Sequence, residues 1–214
     1  MKIHSPHRQR AFTLLEGLVV GAVVLLLLAI FLPALAASKR KSSKLGCNNS
    51  LKEVGIAFRI WEEDNGDKYP MAVPAALGGA QELIATGNVT ACFQVMSNEL
   101  ANPRILICPN DTHHTYATNF ENLGHSNVSY FIGLNATEDN PQSPLSGDAN
   151  LVLDGRPVPA GILNLWTNNV GWTLDRHGGF GNVVLGDGSV QTVRQIGFTS
   201  SAGTYMATNC IVLP

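Results

Sequence analysis

An α+β fold with one long N-terminal helix is predicted by three observations. Residues 12–32 are a run of twenty-one in which Glu16 is the only ionisable side chain. Further on, Cys47, Leu51, Val54, Phe58 and Trp61 recur at spacings of four, three, four and three, which is one face of a helix. Beyond residue 103 the pattern changes to short β-branched or apolar runs flanked by Gly, Asn and Asp, which read as strands.

The helix comes first, over 12–65. Its apolar part, 12–32, is long enough to cross a bilayer, which takes ~20 residues. A carboxylate in such a span costs roughly 2.5–3.5 kcal/mol on insertion scales, so Glu16 needs a partner or a role. Pro33 removes one backbone hydrogen bond and predicts a kink, with the helix continuing beyond it. Ile56 and Ile60 widen the stripe begun at Cys47, and Asn65-Gly66 is a stop signal. From Phe12 to about Glu63, at ~1.5 Å per residue, the helix is roughly 75–80 Å long, half in a membrane and half on a sheet.

Residues 66–214 form one globular domain. Residues 67–103 mix Pro and Gly with short helical patterns, such as Phe93, Met96 and Leu100, and Asn102-Pro103 ends the last of them. Ile105–Ile107, Val128–Ile132, Leu151–Leu153, Val183–Leu185 and Val190–Val193 are the predicted strands of a mostly antiparallel sheet. Gly186-Asp187-Gly188 is a tight hairpin turn, and the polar stretch Asn135–Ser146 is a loop. Asn-x-Ser/Thr occurs at Asn88, Asn110, Asn127 and Asn135, which the frequency of Asn in turns explains. There is no internal repeat.

The net charge of −2 gives no field toward nucleic acid, and no nucleic-acid partner is expected. Lys2, Arg8 and Arg10 precede the apolar span, and Lys39, Arg40, Lys41 and Lys44 follow it, so flanking charge does not set its orientation. A short basic leader before an apolar run also describes a secretory signal peptide. The run exceeds the ~7–15 residues of a signal core, although Ala34–Ala36 offers a small-x-small cut.

Arg10-Ala11-Phe12-Thr13-Leu14-Leu15-Glu16 resembles the processing site of type IV pilins and type II secretion pseudopilins. The resemblance implies that residues 1–11 are a leader and that a prepilin peptidase cuts between Ala11 and Phe12. Phe12 becomes an N-methylated terminus, and Pro33 falls where the family often has its kinking proline. Ala11 stands where the family usually has Gly. The resemblance also implies a pilin-like fold, an inner-membrane protein with a cytoplasmic N-terminus, an extracytoplasmic domain over 66–214, and polymerisation with other pilin-like subunits on an assembly platform. In such a filament the Phe12 amine of one subunit pairs with Glu16 of the next. Each charge relieves the other's desolvation, so the pair tests register. The plainer reading is that Glu16 snorkels to the membrane surface.

Downstream, His177 is followed by nine residues and then Asp187-Gly188. This spacing, with Cys47–Gly55 and Ile107–Asp111, resembles segments of planctomycete and verrucomicrobial pilin-like proteins. The even cysteine count together with export favours disulfides, with Cys47–Cys108 and Cys92–Cys210 the preferred pairing of three. Free buried thiols are the alternative. No pair has CxxC spacing, which speaks against zinc. Asp175 and Asp187 are the calcium candidates, but no dense acidic run supplies six to eight oxygens. His177, Asp187 and Gly188 are read as structural, with His177 packing or hydrogen-bonding across the hairpin. No nucleophile accompanies them, so neither catalysis nor a cofactor is expected. The functional expectation is a pseudopilin-like filament subunit of type II secretion. A type IV pilus subunit and a membrane-anchored binding module that does not polymerise are the alternatives.

Overall fold

The computed structural model describes residues 14–165, 170–196 and 210–214. The chain divides into two compact units, 1–42 and 43–214. Helix α1 covers Leu14–Asp64 and runs through Pro33 without a break. Within the first unit, Leu14–Pro33 has a mean hydropathy of 2.8 and no buried part, and it is long and apolar enough to cross a membrane.

In the second unit the same helix changes character. Cys47, Leu51, Val54 and Phe58 are completely buried and Trp61 nearly so. Ile56 and Ile60 are exposed, so the buried stripe is narrower than the sequence predicts. The helix ends as Asn65 Nδ2 donates to the Trp61 carbonyl at 2.7 Å and Gly66 turns left-handed at φ 70°.

Short helices follow: α2 (Gln81–Ile84), α3 (Thr90–Val95) and α4 (Ser97–Leu100). The predicted strand at 105–107 is instead the end of a 3-10 turn, Pro103–Leu106. Pro103 presets the first turn position, and the Asn102 side chain accepts from Arg104 N at 3.0 Å, so the local capping overrides the β-branched run.

The strands are β1 (Tyr130–Gly133), β2 (Pro144–Asp148), β3 (Leu151–Leu153), β4 (Arg156–Pro157), β5 (Gly161–Asn164) and β6 (Val170–Trp172). A one-turn helix α5 (Leu174–His177) intervenes before β7 (Gly181–Leu185), β8 (Val190–Val193), β9 (Gln195–Ile196) and β10 (Cys210–Leu213). Every described pairing is antiparallel. Two sheets result, ordered β5-β10-β1-β2-β7-β8 and β4-β3-β6-β9. Strand β2 begins inside the stretch predicted as a loop. Its proline is the first strand residue, and a register shift follows between Pro144 and Ser146.

The six-stranded sheet is a middle layer. Tyr130, Ile132, Val184 and Val212 pack with α1 and the short helices in one apolar cluster. Their strand neighbours Phe131, Val183, Leu185, Ile211 and Leu213 join Leu151, Val170 and Trp172 of the second sheet in another. This is the period-two alternation of a strand, with both faces covered. The β7–β8 hairpin turns at Gly186-Asp187-Gly188, where Gly188 has φ 78° and its N–H donates to the Leu185 carbonyl at 2.9 Å.

Candidate functional site

Four elements deliver one side chain each to a single buried point. Cys47 lies on the inward stripe of α1. The turn Pro103–Leu106 delivers Cys108, and the Leu106 carbonyl is fixed by Ser129 N at 2.8 Å. Asp148 is the last residue of β2, opposite Tyr130 of β1. His177 is the last residue of α5, which closes on the left-handed Gly178 at φ 65°.

The sulfurs, the imidazole nitrogen and the carboxylate oxygen of this set all lie within 4.8 Å of one another. Cys47 Sγ donates to Asp148 Oδ1 at 3.4 Å and sits 3.7 Å from Tyr130 Oη. Cys108 Sγ is 3.3 Å from His177 Nε2, which in turn is 3.4 Å from Asp148 Oδ2. Both cysteines are completely buried, as are the side chains of Asp148 and His177.

A second layer holds these groups in place. Asp148 Oδ2 accepts from Asn182 N at 2.7 Å and Asn182 Nδ2 at 3.0 Å, and the Asp148 carbonyl accepts from Trp172 Nε1 at 2.8 Å. The Asn110 amide lies 3.4 Å from His177 Nδ1 and donates to the Arg176 carbonyl at 2.9 Å. Arg176, itself buried, pairs with Asp111 and donates to the Ser129 carbonyl at 2.9 Å. Asp111 also takes Ser129 Oγ at 2.6 Å and His114 Nδ1 at 2.7 Å. This ion pair ties α5 to the segment that carries Cys108, so His177 and Cys108 are aimed together.

The charges are unusual for a core. The hydrogen bond to Cys108, with burial, pushes the Cys47 thiol far up. The bond from Cys47, ahead of that from His177, brings Cys108 down to about 6. The two thiols titrate as a unit, and the pair shares one proton more readily than either would lose its own. Burial raises the Asp148 carboxyl. Burial opposes charge on His177, but its bond with Cys108 and the Asp148 charge outweigh this and raise it. Burial likewise opposes ionisation of Asp111, yet His114, Ser129 and Arg176 hold it well below the usual carboxylate range.

The structure separates the residues that the sequence singled out. Ala11 and Phe12 lie outside the described residues. Glu16 is exposed in the first turn of α1, and Pro33 is exposed within it. Cys47 and Cys108 come together, but as free thiols. The Cys92–Cys210 bridge is not formed. Cys92 is fully buried on α3 among apolar side chains, and Cys210 is half-buried on β10, where its N–H donates to Asn135 Oδ1 at 3.1 Å. His177 does not bond across the hairpin; it turns to Cys108, Asn110 and Asp148. Asp175 and Asp187 are both exposed, and Asp187 Oδ1 accepts from Ser189 N at 2.8 Å. Among the described residues neither joins a cluster of His, Cys, Asp or Glu. Asp148, which sequence reasoning missed, sits in Ser146-Gly147-Asp148-Ala149-Asn150, a stretch that looks like a turn.

A thiolate beside an imidazole can act as a nucleophile. Here the sulfurs are sealed beneath α1, so a substrate reaches them only if the domain opens. The set suits a small ion better than a substrate. Set against known proteins, the chain matches no family model, no curated protein and no solved structure.

Proposed function

We propose that this protein is a filament subunit of the pseudopilin kind, anchored by α1 and assembled at an inner membrane for protein secretion. One observation carries the reading: α1 is a single helix from Leu14 to Asp64 whose first twenty residues are apolar and unburied while its later face is core. A helix apolar on all sides must find lipid or other helices, and a filament core made of such helices supplies both needs in turn. The segment Arg10–Glu16 before it resembles a prepilin cleavage and methylation site.

In this reading a prepilin peptidase releases residues 1–11, Phe12 is N-methylated, and the domain faces away from the cytoplasm. Subunits leave the lipid and pack through α1 onto other pilin-like subunits at an assembly platform. Glu16 meets the Phe12 amine of a neighbour, which fixes the axial step. The work is mechanical and no catalysis is proposed. A type IV pilus subunit for adhesion, motility or DNA uptake would use the same helix in the same way.

Mass spectrometry of the membrane-extracted chain should show a methylated Phe12 terminus. An intact leader, or a start near Ala37, would sink the proposal. Glu16→Ala should insert as well as wild type, since a charge is removed from the span, yet give fewer ordered multimers on cross-linking. Equal multimers in both would favour an anchored module that does not polymerise.

A further inference from the structure

We propose that Cys47, Cys108, Asp148 and His177 are the four ligands of a structural zinc ion. The donor set comes first. Two sulfurs, one imidazole nitrogen and one carboxylate oxygen are ligand types that zinc takes, whereas calcium and magnesium take oxygen.

Geometry comes second. In a tetrahedral zinc site with bonds of ~2.0–2.3 Å, neighbouring donor atoms stand about 3.3–3.8 Å apart. Here Cys108 Sγ to His177 Nε2 is 3.3 Å, His177 Nε2 to Asp148 Oδ2 is 3.4 Å, and Cys47 Sγ to the other carboxylate oxygen, Asp148 Oδ1, is 3.4 Å. With one oxygen of Asp148 as ligand, the four donors lie within 4.8 Å of one another, so they need close in by only about an ångström to form such a shell.

The third argument is enclosure. All four side chains are buried, and they fill four positions, so nothing is left open for a substrate; a closed site of this kind is structural. Asn182 holds Asp148 Oδ2 through two N–H donors, a supporting contact of the sort that orients ligating carboxylates. Nitrogen Nε2 ligates only with the imidazole proton on Nδ1. The Asn110 amide, 3.4 Å away, offers its oxygen to that proton after a half-turn, giving up its bond to the Arg176 carbonyl.

Proton and charge balance follow. Zn²⁺ binds with Cys47 and Cys108 as thiolates, Asp148 ionised and His177 neutral; whatever protons these groups hold beforehand are released to solvent, and the bound site carries net charge −1. The ion would join α1, the turn before Cys108, β2 and α5, adding a direct link to the core packing and the Asp111–Arg176 pair that already hold them.

The test uses the full-length chain in detergent micelles, purified anaerobically without chelator or a histidine tag. Elemental analysis should find one zinc per chain in the wild type and in Cys92→Ser, whose cysteine lies outside the cluster, and at least tenfold less in Cys108→Ser and His177→Ala. Those two variants can fail by unfolding, so the wild type also carries a direct readout. Cobalt(II) added after zinc removal should give the intense visible bands of a tetrahedral ion and a thiolate-to-cobalt charge-transfer band. Zinc retained by Cys108→Ser would overturn the assignment. So would a wild type that neither holds zinc nor gives the charge-transfer band with cobalt. A Cys47–Cys108 linked peptide in the non-reduced digest would replace the ion with a disulfide.

Discussion

The two halves of α1 are both rich in apolar residues, yet the second is part of its unit's core and the first is exposed within its own. In the first half Leu25 is 69% exposed and Phe31 58%, whereas in the second Leu51 and Phe58 are fully buried. The difference lies in arrangement rather than amount. Between Leu14 and Pro33 nearly every position is apolar, so no single face could satisfy it. From Cys47 to Trp61 the buried apolar positions fall on one stripe, with Lys52, Glu53 and Arg59 and the exposed Ile56 and Ile60 placed between them. One helix therefore serves two solvents. Its exposed half should be silent in the folding of the domain, and its striped half should dominate it.

The sharpest way to break this comparison is a matched pair of truncations. Phe58→Ala should destabilise the domain by about 3–5 kcal/mol, the usual loss for a buried aromatic. Phe31→Ala should leave it within ~0.5 kcal/mol of wild type. Denaturant unfolding of the micelle-embedded chain, followed by tryptophan fluorescence, measures both. A large loss for Phe31→Ala would show that the domain leans on the apolar half.

Two glycines allow a finer test. A side chain at Gly55 would meet Val184 Cγ2 at 2.6 Å, and Val184 is itself fully buried with no room to withdraw. Gly55→Val should therefore cost about 1–3 kcal/mol through overpacking. A Cβ at Gly21 would meet nothing within 4 Å beyond its own helix backbone, so Gly21→Val should not change the unfolding midpoint of the domain. Equal effects at the two glycines would contradict the packing described for α1.

The smallest effect concerns Glu62, an acid on the striped half that is only 2% exposed. Burial raises its pKa, Arg59 at 3.3 Å offsets part of this, and Glu138 and Asp67 add to the rise. Its Oε1 accepts no hydrogen bond among the described residues. Because the folded state holds this proton more tightly than the unfolded chain, the contribution to stability is full below the unfolded carboxyl pKa. It is lost as pH rises through the folded value. Glu62→Gln should therefore flatten the decline of stability between mildly acidic and neutral pH and stabilise the protein at neutral pH by no more than about 1 kcal/mol. An unchanged pH slope would show that Glu62 is more solvated than its position indicates.

Much of the scaffold can be read directly from the residues. The stripe from Cys47 to Trp61, the strands at 151–153, 183–185 and 190–193, and the turn at Gly188 all follow from spacing and turn chemistry. Failures occur where a local signal competes with a tertiary one. At 105–107 a β-branched run yields to the cap at Asn102 and Pro103. At 144–148 a polar, proline-bearing stretch is drawn into the middle of a sheet by partners on both sides, β1 and β7. The four-residue cluster is hidden for a different reason. Cys47 and Asp148 are 101 residues apart, and Cys108 and His177 are 69 apart, so no short motif exists to be found. Spacing rules detect ligands that share one turn, and these four share only a fold. His177 and Asp187 make the same point within one motif. The first goes to a dry cluster and the second to a wet turn, and only the strand β7 between them separates the two.

The interior place of β10 in the six-stranded sheet, one strand in from the edge, has a bearing on how the protein is made. Residues 210–213 are inserted between β5 and β1, so until they emerge from the ribosome both neighbours present bare edges. Early arrest of synthesis or proteolytic trimming before residue 210 would leave a nascent domain that cannot close. Such a chain would be a natural substrate for chaperones and proteases. Once residues 210–213 are in place, β10 pairs with β1 on one side and β5 on the other, and a strand late in the chain completes a sheet begun at Tyr130.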